Sequence, residues 1–446
     1  MGPTLALAQR IAGTEFGQIP ENAREVAKQA LLDFVGVTLA GIEEPLSRIL
    51  REHVRDEGGH PHARLIGTAA RASTSQAALV NGSAGHAHDY DDVHTAMNGH
   101  PTVPVAPAVL ALSEHLARTG KDLVGAFSAG VDTECILGRY AGPAHYAKGW
   151  HATGTLGSFG AAAAAARLHG LSADDTARAL GIAGTHAAGL KAQFGTMCKP
   201  LHAGHAAATG VQAAALASKG FESRNDILEV GQGFMATQAD SASEQRFEQA
   251  LEQTAYCQDI CFKYHAACYL THASIEATNH LCASNAFDPS DIENIEIRVN
   301  PGHFDVCNIA EPRSGLQAKF SLRFTAAMAL AGMDTSSIEI YTDELTRDPE
   351  LVTFRDKIRV VAHEQPNPDS IVTILTRTGE HFSDAVNVAI PMRDLDAQWI
   401  KLERKFHTLV DRIVGQTQAE ALVGCIKTLE QRDDLGEFFN LLQVSA

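Results

Sequence analysis

The strongest constraint on how this chain can fold is a run of alanine in residues 160–166, which read Gly followed by six Ala. Alanine has the highest helix propensity, and its small side chain lets two helices approach closely. Only 6% of the residues are aromatic, so large rings cannot supply most of the core. The run therefore predicts a buried helix that packs tightly against its neighbours.

The hydrophobic pattern divides the chain into two kinds of structure. Helical spacing recurs through the first half of the sequence. After residue 290, Ile295, Ile297 and Val299 alternate with polar residues, which is typical of a strand. Helical spacing returns near Leu395. Further strand candidates are residues 338–341, 358–361 and 370–374.

These patterns predict a mainly α fold with two domains, which 446 residues are enough to form. We expect residues 1–265 and 393–446 to form a large all-helical domain. Residues 266–392 are expected to form a smaller α+β lid domain, inserted before the C-terminal helices.

The net charge of the chain indicates which classes of partner it is not expected to bind. The chain has 36 Lys and Arg against 53 Asp and Glu, a formal net charge of −17. Such a surface repels phosphate backbones and anionic lipids, so we expect no nucleic acid and no membrane as partner. An acidic substrate would be repelled as well, unless its pocket were locally cationic.

The eight cysteines are scattered along the chain and do not form a dense, regular framework. We therefore expect no structural disulfides and a reducing, cytoplasmic compartment. The first residues lack the basic and apolar segments of a signal peptide, and no uncharged apolar run is long enough to span a bilayer.

The densest group of chemically active residues lies between residues 86 and 101. Imidazoles and carboxylates are the ligand types that a metal would use, but no known ligand spacing such as H-E-x-x-H is present. The acids could instead fix the charge and tautomer of catalytic histidines, or the segment could simply cap a helix. The group contains His86, His88, Asp89, Asp91, Asp92, His94 and His100.

Two further segments combine polar residues with predicted helix starts. Tyr146 and His151 lie between glycines just before the alanine-rich helix, where backbone N–H groups favour anions. Lys199 precedes Pro200, which places it at a forced break in the chain, where it could point at a ligand as a fixed cation. A buried structural histidine and an exposed surface lysine are the alternatives for His151 and Lys199.

A fourth segment, with Lys263, His265 and His272, lies where the helical part gives way to the insert, and domain junctions are favoured pocket sites. The cysteines near it do not have the spacing of a ferredoxin cluster. The sequence also lacks a G-x-x-x-x-G-K-[ST] phosphate loop and a G-x-S-x-G elbow. Nicotinamide, flavin and ATP are therefore not implied, and we expect no cofactor.

Taken together and in order, these segments resemble the MmgE/PrpD family over nearly the whole chain. Each motif alone is weak, and the segment around Lys199 is the most specific. The matching segments are residues 31–37, Asn81-Gly82, residues 88–92, Gly99-His100-Pro101, residues 151–154 with Gly157, Cys198-Lys199-Pro200-Leu201-His202-Ala203-Gly204, Lys263 with His272, and residues 318–322.

The resemblance implies a large helical domain, a smaller α+β lid, a homodimer and an active site between the domains. Members of the family include 2-methylcitrate dehydratase, cis-aconitate decarboxylase and iminodisuccinate epimerase, which act on small polycarboxylates. Carried over by motif, the pocket would hold Asp89, His100, His151, Lys199, Lys263 and His272. With the neighbouring candidates included, we expect catalytic roles for His100, Tyr146, His151 and Lys199. We expect substrate-binding roles for His88, Asp89, Lys263, His265 and His272.

The chain departs from the decarboxylase members at two positions. They carry a Thr where this chain has Val93, and a His where it has Cys268. The chain resembles the epimerase members most closely, which implies proton abstraction α to a carboxylate of an aspartate-like dicarboxylate such as iminodisuccinate. A dehydratase acting on a 2-methylcitrate-like tricarboxylate is the second hypothesis. A metal-dependent hydrolase is the third, using His86, His88, Asp89 and Asp91.

Overall fold

The structure is a computed structural model that describes residues 1–253, 255–284, 287–365 and 367–444. The chain forms two compact units. The first contains Met1–Phe262 and Met392–Ala446, and the second contains Lys263–Pro391. Among the described residues, no helix has the length and apolar character needed to cross a membrane.

The first unit is built almost entirely from helices. Before the second unit begins, its helices are α1 (Pro3–Gly13), α2 (Glu21–Gly41), α3 (Pro45–Glu57), α4 (Thr74–Gly85), α5 (Thr102–His115), α6 (Gly120–Ala141), α7 (Pro143–Ala147), α8 (Ala152–His169), α9 (Ala173–His186), α10 (Cys198–Ala217), α11 (Phe234–Gln238) and α12 (Glu244–Glu252). Two short strands, β1 (Ala63–Arg64) and β2 (Arg71–Ala72), pair antiparallel between α3 and α4.

This two-residue pairing corrects the expectation of a purely helical first domain. Ala63 and Ala72 are register partners, and both are buried in a small core with Leu46, Leu50 and Val54 of α3. The ladder was missed because each strand has only two residues, which is too short for an alternating pattern to show.

Helix α8 contains the alanine run and confirms the prediction of a buried helix, since Ala161–Ala166 are each 0% exposed. Its closest neighbour is α10. A Cβ atom added at Gly210 of α10 would lie 2.4 Å from atoms of Ala161. The two helices therefore meet almost backbone to backbone, which only Gly and Ala at the contact allow.

The second unit combines helices with one mixed sheet. Its elements are α13 (Tyr269–Ser284), β3 (Ile292–Val299), α14 (Gly315–Ala318), α15 (Leu322–Leu330), α16 (Pro349–Asp356), β4 (Ile358–Ala362), β5 (Ser370–Thr376) and β6 (His381–Val386). The strand order is β4-β3-β5-β6. Strand β4 runs parallel to β3, and the other two pairs are antiparallel.

Three of the four strand predictions are confirmed as β3, β4 and β5. The strand predicted at residues 338–341 was wrong. These residues lie in a bend and a turn, because alternation alone does not make a strand when the segment does not pair with another strand. Strand β6 was missed, since none of its residues is buried and its sequence has no clear apolar face. The chain then returns to the first unit through α17 (Leu395–Val414), α18 (Gln416–Lys427) and α19 (Gly436–Leu441).

Candidate active site

The residues of the first cluster lie on a loop between α4 and α5, which we call the site loop (residues 86–101). Asp89 has a backbone φ of 53° and Asn98 one of 52°, so the loop turns sharply at both positions. Near its middle, the carboxylate of Asp92 accepts hydrogen bonds from the backbone N–H and the hydroxyl of Thr102. Asp92 thereby fixes the middle of the loop to the start of α5.

Asp91 joins two imidazoles inside the site loop. Its Oδ1 lies 2.8 Å from Nδ1 of His86, and its Oδ2 lies 3.0 Å from Nδ1 of His100. Burial alone would raise the pKa of Asp91, but the two imidazoles that face its oxygens hold that pKa well below the usual range. Asp91 is therefore an ionised carboxylate that orients both rings.

The tautomer of His100 follows from a second contact. Its Nδ1 lies 2.8 Å from the backbone carbonyl oxygen of Asp92, which can only accept a hydrogen bond. Nδ1 therefore carries a proton, and Nε2 is the nitrogen of His100 that can offer a lone pair. The backbone N–H of His100 also donates to Oγ1 of Thr153 at 3.0 Å, which ties the site loop to α8.

Lys199 lies in the first turn of α10, so the chain break expected before Pro200 is wrong. The helix runs through both residues, because Pro is tolerated in the first turn, where its missing N–H has no partner in the helix. Nζ of Lys199 lies 2.7 Å from Oδ1 of Asp89, and the same oxygen lies 3.6 Å from Nε2 of His100. The ring of Phe194 lies 5.3 Å from the ammonium. Asp89 thus connects a lysine and an imidazole, two groups that can each hold or release a proton.

His151 is the residue immediately before α8, and it is 2% exposed. Its backbone N–H donates to the carbonyl of Gly189 at 2.9 Å, and its ring packs edge-on against Phe194. Burial, reinforced by the surrounding imidazoles and the Lys199 ammonium, holds the pKa of His151 well below its usual range. The ring is therefore neutral at pH 7.

His86 lies close to both histidines that the motifs marked as catalytic. Its ring centroid lies 4.6 Å from that of His100 and 5.9 Å from that of His151. Burial lowers the pKa of His86 to about 4, although Asp91 opposes the shift. The interpretation of these motifs did not give His86 a place beside the catalytic residues, because spacing alone could not show that its ring lies near both of the others.

Two further predicted residues have contacts of their own. Nε2 of His88, in the site loop, lies 3.2 Å from the carbonyl oxygen of Ala40 at the end of α2. Tyr146 is on α7, where its ring centroid lies 3.7 Å from the ammonium of Lys191. The roles predicted for both residues stay predictions.

Three predicted residues belong to the second unit. Lys263 is its first residue. Nδ1 of His265 lies 2.7 Å from the hydroxyl of Thr335, and its Nε2 lies 3.3 Å from the carboxylate of Glu276. Nε2 of His272 lies 3.2 Å from the carbonyl oxygen of Ala267. Their part in substrate binding stays a prediction.

The expectation of a cationic pocket stays a prediction, and the charges of the cluster in the first unit do not by themselves supply it. Lys199 is matched by Asp89, and the ionised Asp91 adds a second negative charge. The neutral rings of His86 and His151 do not compensate, because burial disfavours their protonation. A substrate carboxylate would have to compete with Asp89 for the Lys199 ammonium.

The same cluster contains the groups that could hold a metal ion. One ligand atom from each of His86, Asp89, Asp91 and His100 lies within 4.8 Å of the others. The hydrolase hypothesis included His88 in this set, and His100 stands in its place. The fit is poor, because the Lys199 ammonium already lies 2.7 Å from the Asp89 oxygen that a cation would need.

Comparison with known proteins agrees with the resemblance read from the motifs. Human cis-aconitate decarboxylase is 28% identical over 99% of this chain and 94% of its own length. Cis-aconitate decarboxylase of Aspergillus terreus is 26% identical over 95% of this chain and 92% of its own length. Residues 5–246 match the MmgE/PrpD N-terminal domain, and residues 265–431 match the MmgE/PrpD C-terminal domain. The chain therefore belongs to the MmgE/PrpD family.

Proposed function

We propose that the enzyme transfers a proton at a carbon next to a carboxylate of a small polycarboxylate, without a cofactor. The observation that carries the proposal is the fixed tautomer of His100, whose Nδ1–H donates to the Asp92 carbonyl. This leaves the lone pair of Nε2 available to remove a proton. Lys199, Asp89 and His151 surround the same cluster.

A carbon next to a carboxylate is a very weak acid, so its anion needs a cation or hydrogen-bond donors already in place. The Lys199 ammonium supplies that charge when a substrate carboxylate takes the place of the Asp89 oxygen. The displaced Asp89 carboxylate then stays near Nε2 of His100 and favours protonation of that ring. Substrate binding would in this way strengthen His100 as a base.

Among reactions of this class, we favour epimerisation of an aspartate-like dicarboxylate such as iminodisuccinate. Epimerisation requires one group that removes the proton and a second that returns one to the opposite face. The rings of His100 and His151 both lie near that of His86, and each is held by a different partner. Two separately oriented imidazoles suit a reaction in which acid and base exchange roles.

Lyase chemistry is the second candidate, and the names of the relatives favour it. The relatives compared are cis-aconitate decarboxylases and are matched over nearly their whole length. Protonation of a carbanion also completes a decarboxylation, so the same imidazoles could serve. Val93 and Cys268 stand where the decarboxylase pattern has Thr and His, which counts against that reaction and leaves dehydration of a 2-methylcitrate-like acid open.

Proton NMR in D2O with three substrates distinguishes these reactions. Epimerisation of iminodisuccinate should replace the α-proton by deuterium and interconvert the stereoisomers. Decarboxylation of cis-aconitate should release CO2 and place one deuterium in the product. Dehydration of 2-methylcitrate should produce an alkene signal. The absence of carbon-bound deuterium and of any new product with all three would contradict the proposal.

A further inference from the structure

A fourth histidine lies against the cluster and has no role in the proposed reaction. His202 is on α10, three residues after Lys199. Its Nδ1 lies 3.1 Å from Nδ1 of His151, and the two ring centroids are 5.3 Å apart. Because the facing atoms are of the same kind, one must carry a proton and the other must accept it.

Two glycines make room for this pair. A Cβ atom added at Gly154 would lie 3.2 Å from Cβ of His202 and 2.5 Å from the carbonyl oxygen of Ala188. Gly189 has a φ of 144°, and a Cβ atom there would lie 3.3 Å from the His202 ring. The close approach of α8, α10 and the loop between α9 and α10 therefore depends on missing side chains at the imidazole pair.

The two rings of the pair differ in their access to solvent. His151 is 2% exposed, whereas His202 is half-buried and lines an open groove of about 310 Å³ together with His205. His202 can therefore exchange its protons with water in the groove. His151 meets His202 on the Nδ1 side of its ring, so its Nε2 is the nitrogen that remains for chemistry.

We propose that His202 is a positioning residue that donates its Nδ1 proton to Nδ1 of His151, which keeps the proton of neutral His151 on Nε2. The inference rests on the proposed function, because it assigns His151 the role of acid in the same site. His100 is held in the opposite tautomer, with its proton on Nδ1 and its lone pair on Nε2. One imidazole then enters the reaction as base and the other as acid.

Two isosteric variants test the direction of this hydrogen bond. In His202→Asn the amide can still present an N–H to His151, whereas in His202→Asp at pH 8 the carboxylate can only accept. We expect kcat of the Asn variant to stay within about tenfold of the wild type. The Asp variant should lose about 100-fold or more, the scale of a misplaced acid or base. His205→Asn, which changes the same groove one turn further on, is the control and should leave kcat unchanged.

Nitrogen NMR of histidine-labelled enzyme without substrate tests the tautomer independently of any activity. The His151 signals are identified as those missing in His151→Gln. A protonated Nε2 and an unprotonated Nδ1 would support the inference even if none of the three substrates reacts, and the proposed function alone would then fail. Protonated Nδ1 on His151, or equal kcat for folded Asn and Asp variants, would overturn it.

Discussion

Lys405 on α17 connects the C-terminal helices to the site loop. Substituting it tests whether this connection stabilises the fold and the position of the loop. Its Nζ lies 2.6 Å from Oδ1 of Asp33 on α2 and 2.8 Å from the carbonyl oxygen of Tyr90. The Tyr90 ring centroid lies 4.0 Å from the same ammonium. Both charged side chains are 3% exposed. Lys405→Met keeps the bulk of the side chain and removes its charge.

The distance sets the scale of the effect. Two unit charges 2.6 Å apart attract by about 6 kcal/mol at an effective dielectric constant of about 20. The loss in Lys405→Met should be smaller, because the Asp33 carboxylate can take up a proton. Protonating an ordinary aspartate costs about 4 kcal/mol at pH 7 and about 1.5 kcal/mol at pH 5. We therefore expect the free energy of unfolding to fall by about 4 kcal/mol at pH 7 and much less at pH 5.

Urea unfolding followed by circular dichroism at the two pH values measures this loss. The double variant Asp33→Asn/Lys405→Met should recover most of it, because it leaves no unpaired buried charge. kcat of Lys405→Met should fall as well, since Tyr90 lies between Asp89 and Asp91 in the site loop. A loss below about 1 kcal/mol at pH 7, or the same loss at both pH values, would refute the reasoning.

Three further predictions concern the imidazole cluster. His151→Ala should lower kcat/KM by about 100- to 10,000-fold in the deuterium assay. The control variant His186→Ala, at an exposed position, should leave kcat/KM unchanged. Equal rates for the two variants would exclude His151 from the chemistry. The pKa of buried His86 is lowered to about 4 in the folded chain. Below about pH 6.5, His86 therefore binds a proton in the unfolded chain but not in the folded chain. Stability should therefore be complete above pH 6.5 and should fall by about 3 kcal/mol towards pH 4 in urea titrations, and a flat profile between these values would contradict the assignment. Dialysis against EDTA should leave turnover unchanged, because Lys199 occupies the anionic side of the cluster; stoichiometric zinc or iron by elemental analysis, with activity lost to the chelator, would favour the hydrolase hypothesis.

The parts of the fold that the sequence predicted well are those in which one residue type dominates a whole element. The alanine run of α8 and the apolar alternation of β3 are such cases. Strand β6 was not predicted, because an edge strand need not have a buried face. The strand prediction at residues 338–341 was wrong because it used only a local pattern, whereas a strand requires a partner elsewhere in the chain.

The candidate site was predictable as a set of residue types but not as a geometry. The order of the motifs identified His100, His151 and Lys199 as candidate site residues, and the structure places all three in the cluster that contains His86. The positive pocket stays a prediction, and counting histidines overstates its charge, because burial disfavours protonation of His86 and His151. The contact between His202 and His151 depends on how closely α8 and α10 approach, and no spacing within one segment encodes that distance.

The glycine and alanine contact between α8 and α10 also determines where this enzyme could acquire a new substrate. Both helices begin at the cluster, with His151 immediately before α8 and Lys199 in the first turn of α10. The contact between the two helices therefore fixes the positions of both residues. Enlarging a residue at Gly210 would force the backbones apart and shift both groups at once. Directed evolution should therefore find altered selectivity in the loops at residues 86–101 and 187–197, and loss of function in the helices beneath them.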